Sequence, residues 1–418
     1  MKRIAIKNIC EVYDGPHATP KKTETGPVYL GIDAITEDGM LDSSQFSYLS
    51  KEDYIKWTKR VVPQENDIVF SYEATLGKYA LIPRGFYGCL GRRLAIIRVI
   101  SEEIDAKWLY YYFRSPEWNA FIKNQTVKGS TVDRISVEEF PNYTIPVISL
   151  KNQKKMVAVL EKIDAKIRTN NKINDYLEEM AKTIYDYWFV QFDFPDENGK
   201  PYKSSGGKMV WNDKLNLQIP NTWQSTELSS YGKIISGGTP STENEDFYAD
   251  DGIAWITPND LSNNTSNMFI SHGERDISLQ GLNNSSATLI PSSSILLSTR
   301  APIGYIAISM NELTTNQGFK TLVPNDTDNT SFLYYLIKRN IPYLEQMGTG
   351  TTFKEVSKDS MEHLAVILPS NNILVHFFQK IKPYIMLRKS YEQETKKLIS
   401  IRNWLLPIVM NGQATIED

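Results

Sequence analysis

Two short runs concentrate the side chains best suited to gripping a charged ligand: VKGSTVDR (127–134) and MGTGTTFK (347–354). In the first, Ser130 and Thr131 offer hydroxyls and backbone N–H groups beside Lys128 and Arg134. The second repeats this with Thr349, Thr351, Thr352 and Lys354. Ser136 then begins S-x-x-E with Glu139, a capping-box pattern that predicts a helix. A helix start flanked by cations is a seat for phosphate oxygens. Two further loops match one another. SYEATLGK (71–78) pairs with STRAPIG (298–304), contributing Lys78 and Arg300. GRRL (91–94) aligns with NQGF (316–319), setting Arg92 and Arg93 against Gln317. Arginine suits guanine edges, while asparagine and glutamine suit adenine.

No constellation for covalent chemistry accompanies them. The histidines His17, His272, His363 and His376 are scattered without metal-ligand spacing. GxSxG, P-loop and HExxH patterns are absent. The glycines of GTG (348–350) follow a helical pattern rather than a strand, so a dinucleotide loop is not expected. NQGF lacks the prolines of an adenine methyltransferase tetrapeptide. Asp196, Glu197 and Lys200 could be forced into a nuclease cluster, but they lie in a Gly- and Pro-rich stretch. Cys10 and Cys89 have no CxxC spacing, which predicts neither a zinc site nor a disulfide. No catalytic residue, metal ligand or cofactor of this chain's own is expected.

The elements that must position these loops are written twice. KWLYYYF (107–113) matches SFLYYLI (331–337), and EKIDAKI (161–167) matches QKIKPYI (379–385). The order of the matches is kept while their offset shrinks from 227 to 218 residues, as a duplication predicts. Each copy opens with short strand-like runs such as DIVFS, YALIP and LAIIRV. Each then enters a long helical pattern. In the first, Met156, Leu160, Ile163 and Ile167, then Ile173, Leu177, Met180, Ile184 and Tyr187, make an apolar seam that slips by one position at Asn170 and Asn171. The second seam runs Phe378, Ile381, Ile385, Tyr391, Leu398, Ile401 and Leu405, and Pro383 predicts a kink. About 40 residues per helix imply a rod of roughly 60 Å. Residues 193–222, rich in Gly, Pro, Ser and Lys, are expected to be a linker.

Composition sets the remaining bounds. With 41% hydrophobic and 23% charged residues among 418, the chain resembles an ordinary globular protein of two or three domains. No secretory signal or membrane span is evident, so a cytoplasmic protein is expected. Residues 1–150 balance 19 basic against 19 acidic side chains, whereas 215–370 carry 8 against 16. A net −8 segment would grip a polyanion poorly without help from another subunit.

The stretches 127–174, 192–212 and 219–242, in that order, resemble the specificity (S) subunit of Type I restriction-modification systems. The resemblance implies an α+β fold: two similar globular target recognition domains joined by two long antiparallel helices forming a coiled-coil spacer. It places target recognition domain 1 at 1–150, spacer helices at 151–192 and 371–410, the linker at 193–222 and domain 2 at 223–370. It further implies a split double-stranded DNA target, two methyltransferase (M) subunits that carry AdoMet, and restriction (R) subunits that use ATP and Mg. The candidate DNA contacts are then Lys78, Arg92, Arg93, Lys128, Ser130, Thr131, Arg134, Arg300, Gln317, Thr349, Thr351 and Lys354. Two other readings stand beside it: the recognition half of a combined restriction–methylation enzyme, and a protein-interaction scaffold.

Overall fold

The structure is a computed structural model that describes residues 2–36, 38–127, 133–300, 302–348 and 354–410. It is α+β, and its contacts divide into two units: 1–167 with 397–418, and 168–396. Each unit has its own aromatic-rich core.

In the first unit, strands Cys10–Asp14, Leu94–Val99, Ile68–Ser71 and Tyr79–Leu81 form one sheet in that spatial order. A smaller sheet has Thr23–Leu30 at its centre, paired antiparallel with Ser47–Tyr48 and parallel with Gly88–Leu90. The second unit repeats both arrangements. Gly232–Ser236, Phe319–Pro324, Ile295–Ser298 and Ile306–Ser309 reproduce the larger sheet, with Phe269–Ile270 added at its edge. Ile253–Ile256 takes the central place of the smaller one, again with one antiparallel and one parallel neighbour. The central strands are apolar on both faces, as Ile68, Val69 and Phe70 or Ile295, Leu296 and Leu297 illustrate, because helices and loops cover them.

A two-stranded antiparallel pair closes the root of each copy. Lys2–Ala5 pairs with Thr144–Val147, and Gln224–Glu227 pairs with Ala365–Leu368. Three residues beyond each closing strand a long helix begins: Leu150–Tyr185, continued by a π-helical turn Asp186–Val190, and Asn371–Met410. The second helix continues through Pro383 as one element.

The buried stripe on these helices is not the predicted seam. Met156, Leu160, Ile167 and Leu177 are buried as expected, but Met180 and Tyr187 are exposed. The stripe instead continues through Asp164, Asn170, Asn174, Ala181 and Tyr185, at steps of three and four without the slip. Apolar residues misled the reading because the facing helix buries Arg388, Glu392, Thr395 and Arg402. The antiparallel direction follows from the bonds. Within the second unit Asn170 Nδ2 donates to Glu394 at 2.7 Å, and Arg388 pairs with Glu178. Within the first, Arg402 Nη1 meets Asp164 at 2.9 Å.

Two further expectations are corrected. Ser136 Oγ does accept the Glu139 N–H at 3.2 Å, but only a turn and the 3-10 helix Phe140–Asn142 follow. Pro141 lacks the N–H that would extend a helical ladder. The equivalent Ser357 does cap the short helix Lys358–Glu362. Residues 193–222 are not a loose linker. Phe192, Phe194, Ile219 and Trp223 are buried, with Phe194 stacked between Tyr202 and Trp223 at 4.8 and 4.9 Å. Met209–Asn212 and Leu217–Pro220 form a hairpin there. Asp196 holds its own turn by accepting from Asn198 and Lys200 N–H groups, so it is not presented for chemistry.

Candidate nucleic-acid interface

The loop after Ile68–Ser71 is built twice with the same backbone bonds. Ser71 N–H donates to the Lys78 carbonyl and Gly77 N–H to the Ser71 carbonyl, both at 3.0 Å. Ser298, Tyr305 and Gly304 repeat these at 2.8 and 3.0 Å. The buried Ser71 and Ser298 hydroxyls each accept from the N–H seven residues on, at 3.1 and 2.9 Å. Gly77 and Gly304 take φ of +73° and +108°, which a side chain would strain. The alignment of GRRL with NQGF also holds in space. Tyr72 N–H donates to the Arg93 carbonyl where Thr299 N–H donates to that of Gly318. Ile135 N–H then donates to the Tyr72 carbonyl at 2.8 Å, and Val356 N–H to that of Thr299 at 2.9 Å.

This frame brings distant parts of the sequence together. In the first copy Glu73 faces Arg134 across an isolated backbone bridge, and Arg93 Nε lies 2.9 Å from the Glu73 carboxylate. In the second the charges are exchanged. Arg300 faces Glu355 across the matching bridge, with Arg300 Nε 3.0 Å and Lys320 Nζ 3.3 Å from the carboxylate. Burial alone would raise the Glu355 carboxyl, but Arg300 and Lys320 outweigh it and hold it below the ordinary carboxylate range. Each arginine is therefore already oriented by an acid and still about a third or more exposed.

The other predicted contacts divide. Arg92 is exposed, with its backbone N–H on the Tyr29 hydroxyl. Gln317 is exposed and accepts from the Thr239 hydroxyl. Lys354, also exposed, adjoins Glu355. Lys78 points elsewhere, its ammonium donating to the Ile35 carbonyl at 3.1 Å. Lys128, Ser130, Thr131, Thr349 and Thr351 lie outside the described residues. Glu73 and Glu355 were missed, because an acid gives no sign in sequence of the cation it will meet 20 or 55 residues away.

The helix pair carries the other polar centre. In the second unit Glu178 pairs with Arg388 and, at 2.8 Å, with Lys338, and accepts from the Tyr335 hydroxyl at 2.9 Å. Burial pushes Glu178 up, but Arg388 and Lys338 outweigh it, and its carboxyl stays below the ordinary range. Glu392 accepts from Met268 and Phe269 N–H groups at 2.8 and 3.0 Å and from Arg388 at 2.8 Å, yet burial dominates and raises it. The first unit has a similar arrangement: Tyr111 hydroxyl donates to Asp164 at 2.6 Å opposite Arg402. Exposed apolar side chains flank these bonds, Tyr176 and Met386 in the second unit and Ile401 and Trp404 in the first.

A chain that repeats one α+β unit, with loops of fixed backbone and exchanged charge, belongs to a class of duplicated recognition folds. The Type I restriction modification DNA specificity domain matches it at residues 1–179 and again at 220–399, and the chain belongs to that family. The Type I restriction enzyme MjaIX specificity subunit of Methanocaldococcus jannaschii is 39% identical over 155 residues, covering 37% of this chain and 35% of that protein. The HindI specificity subunit of Haemophilus influenzae is 26% identical over 335 residues, covering 68% and 72%. In fold, the crystal structure of the S subunit from M. genitalium superposes with a TM-score of 0.55 at 14% identity, covering 98% of this chain and 95% of that one.

Proposed function

We propose that the chain is a non-catalytic, sequence-specific DNA-binding subunit of a cytoplasmic Type I restriction-modification complex. Residues 1–150 and 223–370 each read one half of a split site. The helical segments 151–192 and 371–410, with 193–222 between the copies, carry the M subunits, two per chain. Those partners supply AdoMet and the adenine chemistry. R subunits supply ATP- and Mg-dependent cleavage.

The observation that carries this reading is the doubly built loop frame with unequal side chains. Loops with matching backbone bonds present Glu73, Arg92, Arg93 and Arg134 in one copy and Arg300, Gln317, Lys354 and Glu355 in the other. Two readers of one architecture that recognise different half-sites need that combination, since base edges are distinguished by donor and acceptor pattern. Exposed Tyr176, Met386, Ile401 and Trp404 on the helices support a protein partner there. Partner subunits closing on the duplex would also offset the acidic balance of 215–370.

Footprinting tests it. The full chain reconstituted with M subunits should protect two half-sites at one fixed spacing. No protection, or a single continuous footprint, would refute the split-site reading. Incubating the chain alone with labelled AdoMet and adenine-containing DNA should transfer no methyl group. Transfer without a partner would make it part of a combined enzyme.

A further inference from the structure

In the first unit a cleft of about 500 Å³ opens between loop 14–18 and the end of helix Lys51–Trp57. Asp14, His17, Lys56, Trp57, Lys59 and Arg60 are among its lining. Asp14 is shared by His17 at 2.9 Å and Arg60 at 3.9 Å, and Lys56 meets Asp53 at 3.3 Å. Lys59 makes no ion pair among the described residues. The Lys56 and Arg60 side chains are more than 60% exposed. The lining is thus cationic in excess, the complement of an anion.

Its place in the fold says which anion. Gly15 N–H donates to the Leu94 carbonyl at 3.0 Å, so the cleft borders the loop that presents Arg92 and Arg93. The second copy has the same bank in the same place. Gly237 N–H donates to the Phe319 carbonyl, and Gly238 packs against Ser286 and Ala287. There, Ser278 caps its short helix as Ser50 caps the first. At the same offset of 228 residues, Asn284, Ala287 and Thr288 stand where the first copy has Lys56, Lys59 and Arg60. The cationic cleft is therefore a property of one reader and not of the shared scaffold.

We propose, building on the DNA-binding reading above, that this cleft grips the phosphodiester backbone beside the half-site read by the first copy. Lys56, Lys59 and Arg60 supply the charge. Flexible ammonium groups attract phosphate without selecting a base, so the cleft sets affinity and placement rather than sequence.

The test uses the full chain reconstituted with its M subunits. Two probes serve: a duplex carrying the host's methylated site and a random-sequence duplex. Affinities are measured across a salt series for wild type, K56Q/K59Q/R60Q and K59E. The triple variant should weaken binding to both duplexes by a similar factor and lower the salt slope by about 2 to 3, since each lost phosphate contact removes close to one unit. K59E should lower it by about one or more. Wild-type affinity and slope in the triple variant would overturn the proposal. So would a changed base preference with an unchanged slope, which would make these residues base readers. Absence of binding by the wild-type complex is a separate result. It would fail the DNA-binding reading itself and this proposal with it.

Discussion

At the scale of single residues, Arg388 is the side chain on which most depends. It is 5% exposed and holds both Glu178 and Glu392. Arg388→Met leaves the buried Glu392 without its cation and Glu178 with Lys338 alone, and should cost about 3 to 5 kcal/mol in urea unfolding. A cost below about 1 kcal/mol would mean that Lys338 and the backbone donors suffice. The two acids should respond oppositely to pH. Glu178 is held low, so its contribution is full above the unfolded carboxylate range and is lost as pH falls through its folded value. Glu392 is held high, so its contribution is full at acid pH and is lost as pH rises through its folded value. Glu178→Gln should therefore soften the loss of stability on acidification, and Glu392→Gln should steepen it. Urea midpoints between about pH 6 and pH 3 report both. None of this was legible in sequence, where the two acids and the arginine lie among ordinary helix-surface charges.

At the scale of the element, the long helices were legible in extent but not in facing. Three- and four-residue steps located them, and the duplication foretold two. The stripe itself was misread because Asp164, Asn170 and Asn174 look like surface residues until Arg402 and Glu394 are seen opposite two of them. Asn174 Oδ1 is buried with no partner among the described residues. Asn174→Leu should thus raise unfolding free energy by about 1 kcal/mol or more. The same change removes a polar position of the kind that specifies helix register. A drop in stability on denaturation would show that the amide is satisfied after all. On the outer face, Met386→Glu and Trp404→Glu should leave the melting temperature unchanged while reducing co-purification with M subunits several-fold. Normal assembly by both variants would move the docking surface off the helices. The loops were legible for another reason. Ser71, Gly77, Ser298 and Gly304 punctuate a turn whose backbone demands them, so their spacing survives where the side chains between them differ.

At the scale of the whole molecule, the paired strands at the root of each copy define where an exchange can be made. The chain enters the second copy through Gln224–Glu227 and leaves through Ala365–Leu368, its hydrogen-bonded neighbour. Replacing 228–364 with the matching segment of a relative keeps that pair and the aromatic cluster of Phe189, Phe194 and Trp223. Methylome sequencing of a host carrying the chimera should show one half of the target altered and the other retained. Alteration of both halves would contradict independent readers. The loop frame has a wider consequence. Glu73 with Arg134 in one copy and Arg300 with Glu355 in the other occupy one backbone in opposite order, so that backbone tolerates either arrangement. Under the proposed reading, folding and preference are then constrained separately at these positions. On that reading, exchanging side chains there would change the target sequence while the backbone bonds of the scaffold are kept, and each half could be changed without the other.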